Sequence, residues 1–385
     1  MFGVNEPYII GNELKYLRKS INQNELSVGE FQKKFQKKLE KYCKSKYVTL
    51  CSSGTSALQV ALHSLGVKEN DEVIVPTFTF IATVNAVIYN KAIPVFMDCN
   101  DSCNLDVNKF KKFIKEKTFK RGKNIFNKET KRRIFAIIPV HVWGGLVDLK
   151  PILKLCKDYN IKIIEDAAES LGSRFTRGQL KNSLSGTVGD MGCLSFNGNK
   201  IITSAGGGAI LTKKKSLYKK ANYLINQATD KQFNYIHNNV GYNFRMANIN
   251  AAIGLAQLEK INFYIKRKEE INFYYNNFFK KFTKVKINQF PSYSKNNFWQ
   301  TTMFINTKNS KLDIKKIRLK LKNSGFMIRQ AWHPCHMQKP YKKYESFMIE
   351  NAPRISASLI CLPCSSFLRK KELFKISSII SKVLK

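Results

Sequence analysis

Short apolar runs, each followed by a small or polar loop and a segment with apolar residues at helical spacing, recur as far as about residue 212. The runs lie at 47–50, 72–75, 93–96, 134–140 and 161–164. A continuous apolar run of this length is typical of a strand buried on both faces, and the segments that follow match amphipathic helices. Repeated strand, loop and helix units predict an α/β fold with a largely parallel sheet and helices on both faces.

The pattern differs on either side of this region. Residues 1–46 predict an N-terminal arm and a packing helix. From about residue 213 the pattern indicates long helices and then a smaller α+β unit, with helices at 217–227, 248–279 and 314–321 and a strand at 298–305. We therefore predict an arm and large domain over residues 1–246 and a small C-terminal domain over residues 247–385.

Distinctive loop residues fall where the predicted strands end. Gly54–Ser56 follow the first strand, Phe80 follows the second, His141 follows 134–140 and Asp166 follows 161–164. Because ligands bind at the carboxyl ends of parallel strands, we expect these residues to converge. Gly54–Ser56 also begin a predicted helix, whose free N–H groups and dipole can bind a phosphate; an ordinary helix cap is the alternative.

Lys200 lies between a short apolar strand and the glycines Gly206–Gly208. A lysine amine held in a crevice can form a Schiff base, whereas most lysines are solvated surface groups. Pyridoxal phosphate needs a turn that binds phosphate, an aromatic ring to stack on, an acidic group and a lysine. The turn at Gly54–Ser56, Phe80, Asp166 and Lys200 match these needs together. The lysine would bind its aldehyde, and the aspartate would keep its pyridine nitrogen protonated.

The formal net charge of +39 over 385 residues raises the alternative of a nucleic-acid-binding protein. The basic residues are spread along the whole chain, and no zinc-finger spacing, RNP motif or basic zipper accompanies them. Residues 109–133 hold twelve Lys or Arg and only two Glu. This stretch predicts a solvated helix and hairpin insertion, and we expect no nucleic acid among the partners.

No apolar run is long enough to cross a bilayer, and the first residues lack the regions of a signal peptide, so we predict a cytoplasmic protein. The nine cysteines are scattered. The Cys361 and Cys364 pair lacks a second pair or a histidine arrangement, so it is a weak indication of a metal or redox site. We predict reduced structural thiols and no metal site.

Five motifs, in order along nearly the whole chain, resemble those of the DegT/StrS-type sugar aminotransferases, which are pyridoxal-phosphate enzymes of fold type I. They are Ser53–Leu58, Pro76–Thr83, Glu165–Ser170, Ser195–Lys200 and Gly241–Met246. Fold type I implies the predicted parallel sheet and a smaller C-terminal α+β domain.

The resemblance implies a role for each matching residue. Lys200 would bind the cofactor covalently and move the proton, Asp166 would pair with the pyridine nitrogen, and Glu169 would lie near the phenolic oxygen. Phe80 would stack on the ring. Gly54 lies in the same phosphate-binding turn, and the groups that would hold the phosphate are the backbone N–H groups of Thr55 and Ser56 and the hydroxyl of Ser195.

Further groups would come from farther along the chain. Asn243 would reach the phosphate from the neighbouring subunit, which implies a homodimer with a shared active site. His141 and His336 resemble substrate-side groups, and a structural role is the alternative for each.

The lysine, where some relatives carry histidine and act as dehydratases, implies transamination. The amino group would pass from glutamate to a nucleotide-linked 4-keto-6-deoxy sugar, for cell-surface glycan or nonulosonic acid biosynthesis. The string Phe196–Lys200 and the long basic insertion before Ile134 are similar to the branch acting on UDP-2-acetamido-2,6-dideoxy-4-ketohexose, of the legionaminic acid and bacillosamine type. A GDP-perosamine synthase, a 3-keto sugar aminotransferase and a catalytically silent regulator of the same fold are the alternatives.

Overall fold

Strands and helices alternate through residues 47–212 of the computed structural model, which describes residues 1–288, 290–306 and 314–384. The helices of these residues are α1 (Glu13–Asn22), α2 (Glu30–Cys43), α3 (Gly54–Leu65), α4 (Ala82–Tyr89), α5 (Val107–Lys117), α6 (Leu149–Asp158), α7 (Lys215–Ile225), α8 (Asn248–Glu259), α9 (Ile261–Phe279), α10 (Ile314–Asn323), α11 (Asn351–Ser358) and α12 (Lys370–Leu384).

The strands up to the middle of the chain are β1 (Tyr47–Cys51), β2 (Glu72–Pro76), β3 (Ile93–Met97), β4 (Thr118–Arg121), β5 (Asn124–Asn127), β6 (Ile134–Ile137), β7 (Lys162–Asp166), β8 (Arg174–Phe175), β9 (Met191–Ser195) and β10 (Gly208–Thr212). The later strands are β11 (Thr229–Lys231), β12 (Ile236–His237), β13 (Val285–Ile287), β14 (Ser294–Lys295), β15 (Thr302–Ile305), β16 (Arg329–Gln330), β17 (Ser346–Phe347) and β18 (Leu359–Cys361).

The large sheet has the strand order β1-β10-β9-β7-β6-β2-β3-β17. All pairs from β9 to β17 are parallel, and β10 alone runs against both of its neighbours. The loops that follow β1, β2 and β7 therefore lie together at the carboxyl ends of these strands. This architecture confirms the predicted α/β class and mostly parallel sheet.

The small unit is built on the antiparallel sheet β13-β15-β18-β16. Its core takes apolar side chains from these strands and from α9, α10 and α12, and within α9 it begins at Ile271. The helix preceding α9, α8, packs instead with α2 in the core of the large unit, through Ala251, Ala252 and Leu255. The division into residues 1–246 and 247–385 remains a proposal.

Several predicted elements differ in length from the observed ones. The strand predicted at 134–140 ends at Ile137, and the strand predicted at 298–305 begins at Thr302, because Phe298 has a φ of 51°, outside the extended range. The helix predicted over 248–279 is divided at Lys260. The basic stretch forms α5 and the antiparallel pair β4-β5, as a helix and hairpin insertion should.

The cysteines lie in the interior of the protein. All nine cysteines are free and buried, and among the described residues no group of His, Cys, Asp or Glu is arranged to hold a metal ion. Within the same residues, every helix is too short or too polar to span a membrane.

Candidate active site

A cavity of about 530 Å³ opens at the carboxyl edge of the large sheet, between the loops of that edge and the small unit. It is lined by Asn5, Ser53, Gly54, Thr55, Leu58, Thr79, Phe80, Ala82, Thr83, Val140, Trp143, Asp166, Ala168, Glu169, Ser195, Asn197, Asn199, Lys200, Gly206, Gly207, Trp299, Gln300, Arg329, Gln330, Ala331, Trp332 and Cys361. The cavity therefore brings together Gly54, Thr55, Phe80, Asp166, Glu169, Ser195 and Lys200, as the sequence predicts.

The first turn of α3 forms one wall of the cavity. Ser53 caps the helix, and its Oγ accepts a hydrogen bond of 3.0 Å from Ser56 N. The N–H groups of Gly54 and Thr55 have no acceptor within the helix, because the first turn lacks a preceding turn. A Cβ added to Gly54 would lie 2.8 Å from the Cβ of Ser195, so glycine is needed for the close approach of these two segments.

Ser56 belongs to the cap and not to the cavity wall. Its N–H donates to Ser53 Oγ, and its own Oγ accepts from Ser53 N at 3.0 Å, which completes a reciprocal capping box. This corrects the prediction that the N–H of Ser56 faces a phosphate. Thr55 and Ser195 are left as the predicted phosphate-binding groups that line the cavity.

Asp166 lies on the floor of the cavity at the end of β7, 4% exposed. Its Oδ2 accepts a hydrogen bond of 2.7 Å from Thr83 Oγ1, and its Oδ1 accepts one of 3.1 Å from Ala168 N. Burial raises the pKa of Asp166, against the opposing effects of these two hydrogen bonds and of the charge of Lys200. Among the described residues no cation forms an ion pair with this carboxylate, so a positively charged ligand group would stabilise it.

Lys200 projects into the cavity from the loop between β9 and β10. Its Nζ lies 3.3 Å from Glu169 Oε1 and 4.3 Å from the centroid of the Trp299 ring. Glu169 is held in place by Trp143 N, which donates to its Oε2 at 2.9 Å. Burial raises the pKa of Glu169, while the charge of Lys200 opposes this rise. The amine is thus held between a carboxylate and an aromatic face, with the rest of the cavity before it.

Aromatic side chains form the remaining walls. Phe80, which is 56% exposed, lies at the mouth of the cavity. Trp143 and Trp332 also line the cavity, and they form a cluster with the fully buried Phe78, with ring centroids 5.2 to 5.6 Å apart. A flat ring bound in this cavity would find aromatic surfaces at more than one side.

His141 lies outside the cavity wall and is fully buried. Its Nε2 is 2.9 Å from Glu165 Oε2, and its Nδ1 accepts a hydrogen bond of 3.2 Å from Val147 N. With Nδ1 as acceptor, Nε2 is the nitrogen that donates to Glu165. Both nitrogens are engaged within the protein, which corrects the expectation of a substrate contact and leaves the structural alternative.

His336 and Asn243 also lie outside the cavity wall. His336 Nδ1 is 2.7 Å from Thr77 Oγ1, and burial lowers the pKa of this histidine. Asn243 is exposed on the surface, where its backbone bridges to Asn226. Its predicted contact is with a second subunit, so its surface position is compatible with that prediction.

The sequence analysis missed several cavity residues. Thr83 could have been identified from the sequence, since it lies in the first turn of the helix that follows β2 and can therefore face the end of a neighbouring strand. Nothing in the sequence indicated Asn5, Trp299 or Arg329, because each reaches the cavity from a segment more than one hundred residues away from Asp166.

Comparisons with known proteins identify relatives of this architecture. Residues 7–381 match the profile of the DegT/DnrJ/EryC1/StrS aminotransferase family. The chain is 32% identical over 382 residues to the GDP-perosamine synthase of Caulobacter vibrioides, covering 98% of this chain and 97% of that relative. It is 27% identical over 368 residues to the UDP-4-amino-4,6-dideoxy-N-acetyl-beta-L-altrosamine transaminase of Campylobacter jejuni, covering 94% and 92%.

The fold is also found among solved structures. The crystal structure of a DegT DnrJ EryC1 StrS aminotransferase from Brucella abortus superposes with a TM-score of 0.85 at 26% identity, over 96% of this chain and 95% of that one.

Proposed function

From the premise that the chain belongs to the DegT/DnrJ/EryC1/StrS aminotransferase family and is a sugar aminotransferase, we propose that it aminates C4 of a nucleotide-linked 4-keto-6-deoxy sugar, with glutamate as donor. The observation that carries the proposal is the amine of Lys200 inside the cavity, held between Glu169 and Trp299. A lysine that can act as nucleophile and as proton carrier is the group that amino transfer requires.

The cavity residues fit pyridoxal 5′-phosphate. The buried carboxylate of Asp166 lacks a cationic partner among the described residues, and the first turn of α3 presents N–H groups beside Ser195. When bound there, the cofactor would supply an aldehyde for Lys200 and a ring that withdraws electrons from the reacting carbon. Gly54, Thr55 and Ser195 would hold its phosphate, Asp166 its ring nitrogen and Phe80 one ring face.

Three side chains of the cavity would carry out proton transfer, stabilise the ring and orient the amine. The amine of Lys200, once free, can take up a proton at the reacting carbon of the donor and deliver one at that of the acceptor, because it projects into the cavity beside Glu169. Asp166 favours a protonated ring nitrogen, since burying its charge beside a cation costs less than burying it alone. Glu169 orients the amine of Lys200 at 3.3 Å.

Relatives support the choice of sugar. The Campylobacter jejuni relative is named for a 4-amino-4,6-dideoxy sugar on UDP, and the Caulobacter vibrioides relative is named for a GDP sugar. We propose UDP-2-acetamido-2,6-dideoxy-4-ketohexose as the acceptor, with the GDP-linked sugar as second candidate. The second candidate is kept because the identity to the GDP enzyme, at 32%, is the higher of the two.

A substrate panel tests the proposal. The purified protein, loaded with cofactor, is incubated with glutamate and with UDP-, GDP- and dTDP-linked 4-keto-6-deoxy sugars, and with a 3-keto sugar nucleotide. Mass analysis and NMR of the products report which nucleotide is accepted and which carbon carries nitrogen. Amination at C3 and not at C4 would replace the proposal by the 3-keto alternative. Transfer to none of the sugars by a cofactor-loaded protein would favour a silent regulator.

The nucleic-acid alternative makes a different prediction. A protein that exploits the +39 charge would bind DNA or RNA tightly, with an affinity that falls steeply with salt concentration. Such a protein would have no need for the buried Asp166 or the enclosed amine of Lys200.

Arg329 is expected to bind the carboxylate of the amino donor. Arg329 lines the cavity, and within the described part of the chain it forms no ion pair with an acidic side chain. We expect Arg329→Gln to raise the KM for glutamate about tenfold, since a charge-assisted hydrogen bond contributes roughly 1.5–3 kcal/mol. The KM for the sugar nucleotide should change less, and Arg121→Gln in the exposed hairpin serves as control. An equal rise in both KM values would contradict a donor-specific role.

Asn243 is expected to act on the cofactor of a second subunit. The surface beside it exposes Phe233, Tyr235 and Val240 almost completely, which supports contact with a second copy of the chain. We expect Asn243→Ala to weaken retention of the cofactor about tenfold, as loss of a hydrogen bond to a charged group would. Dialysis followed by absorbance of the retained cofactor measures this.

Subunit mixing provides the sharper control for a shared site. A hybrid dimer of Asn243→Ala and Lys200→Ala subunits contains one site with both native residues if the site is shared, so mixing should restore activity at low cofactor concentration. Absence of restoration, with hybrid dimers shown by native mass spectrometry, would place Asn243 outside the site of its partner.

A further inference from the structure

Lys268 in α9 is a buried lysine outside the cavity wall. Its side chain is 2% exposed, and its ammonium group forms no ion pair with any described carboxylate. Three oxygen atoms accept its three hydrogens instead: Asn5 Oδ1 at 2.5 Å, Cys364 O at 2.7 Å and Trp299 O at 3.2 Å. Burial lowers the pKa of this group, and the hydrogen bonds to these oxygen atoms offset part of the cost of desolvating it.

The three acceptors come from three distant parts of the chain. Asn5 belongs to the segment before α1, Trp299 to the loop before β15 and Cys364 to the loop after β18. A lysine is the side chain that offers three donors from one point, so it can hold three such segments at a single position. The N-terminal segment is attached to the same place by the backbone, where Cys364 N donates to Val4 O at 2.8 Å.

Two of these acceptors lead directly to Lys200. Asn5 Nδ2 donates to Asn199 O at 2.8 Å, and the indole nitrogen of Trp299 donates to the same carbonyl at 2.6 Å. The Trp299 ring also lies 4.3 Å from the amine of Lys200. Lys268 thus contacts the side chain of Asn5 and the backbone carbonyl of Trp299. These are the two residues whose side chains fix the peptide before Lys200, and the Trp299 ring also lies against the amine.

We infer that Lys268 is a positioning residue for Lys200, acting through Asn5 and Trp299; the inference rests on the proposed aminotransferase function. Without the ammonium, the carbonyls of Cys364 and Trp299 and the amide oxygen of Asn5 lose a buried donor. The indole and the peptide of Asn199 would then be free to shift. A shift of about 1 Å in a reacting group is sufficient to reduce the rate of a positioned reaction by an order of magnitude or more.

Hydrogen exchange of the cofactor-free protein tests the structural link without reference to activity. Lys268→Met keeps the apolar stem and removes the donors, and we expect faster amide exchange over 196–204 and 297–301. Lys266→Met, at an exposed position of the same helix, is the control and should leave both segments unchanged. Unchanged exchange in Lys268→Met would overturn the inference.

Kinetics and absorbance of the loaded enzyme separate positioning from general stability. We expect Lys268→Met to lower kcat about tenfold while both KM values change by less than about threefold. We also expect the pH midpoint of the absorbance band of the bound cofactor to move, because the surroundings of the Lys200 amine change. A lower melting temperature with an unmoved midpoint and unchanged kcat would show a purely structural role and overturn the inference.

If Lys268→Met does not fold, Asn5→Asp provides a second test of the link between Lys268 and Lys200. The aspartate retains an acceptor for Lys268 but loses the N–H donors to Asn199 O, so faster exchange over 196–204 is expected, and its absence would overturn the link. If the wild-type protein transfers no amino group to any sugar, the proposed function fails while the exchange experiment still reports on the contacts of Lys268.

Discussion

Replacing Lys200 with alanine is expected to abolish amino transfer, with a loss of about 10⁴-fold or more, because the change removes both the nucleophile and the proton carrier. The amine lies in the cavity 3.3 Å from Glu169 and 4.3 Å from the Trp299 ring, and alanine leaves no basic group at that place. Any cofactor retained by Lys200→Ala should be held without a covalent bond. Turnover with glutamate and the accepted sugar nucleotide measures the first effect.

Borohydride reduction followed by peptide mass analysis measures the second effect. Reduction should fix the cofactor to Lys200 in the wild-type protein and to no residue in Lys200→Ala. Lys213→Ala, at an exposed lysine after β10, is the control and should behave as the wild type does. Near-normal turnover in Lys200→Ala, or fixation at another lysine, would refute the assignment.

Replacing Asp166 with alanine is expected to lower kcat about 10²- to 10³-fold, the range seen when one preorganised electrostatic partner is removed from a site. The covalent attachment at Lys200 should persist, since the amine does not depend on Asp166 for its position. What is lost is the carboxylate that favours a protonated ring nitrogen and so makes the ring accept electrons. Borohydride fixation at Lys200 combined with a low kcat is therefore the expected pair of results.

Thr83→Val separates the charge of Asp166 from its orientation. This variant removes the 2.7 Å hydrogen bond to Asp166 Oδ2 but keeps the carboxylate, so its loss of kcat should be much smaller than that of Asp166→Ala. Near-normal rates in Asp166→Ala would remove this residue from the mechanism. A loss in Thr83→Val as large as that in Asp166→Ala would mean that orientation, and not charge, is the property that matters.

The large sheet was predictable because its central strands are buried on both faces. Runs such as Glu72–Pro76 and Ile93–Met97 are almost wholly apolar, which is typical of strands covered by helices on both faces. The strand ends were less predictable. At 134–140 the apolar pattern continues past Ile137, but pairing ends there, and Val140 makes only an isolated bridge to Asp166.

The site was predictable where it depends on neighbours in sequence or on the shared sheet edge. Lys200 and Asp166 follow strands that end at the same edge, so their convergence could be inferred. The partners of His141 could not. Its position at a strand end suggested a ligand contact, yet its Nε2 is hydrogen-bonded to the buried carboxylate of Glu165 on the adjacent parallel strand. The side to which a strand-end residue turns depends on packing, which a linear pattern does not contain.

The short strand β17 has a consequence for synthesis of the chain. Ser346 and Phe347 pair in parallel with Phe96 and Met97 at the outer margin of the large sheet. While the ribosome makes the intervening 250 or so residues, β3 has no neighbour on that side, and an unpaired strand is prone to associate with other chains. The β3 side of the sheet therefore stays unpaired during most of the translation of the chain. This side is the place where a chaperone would be needed.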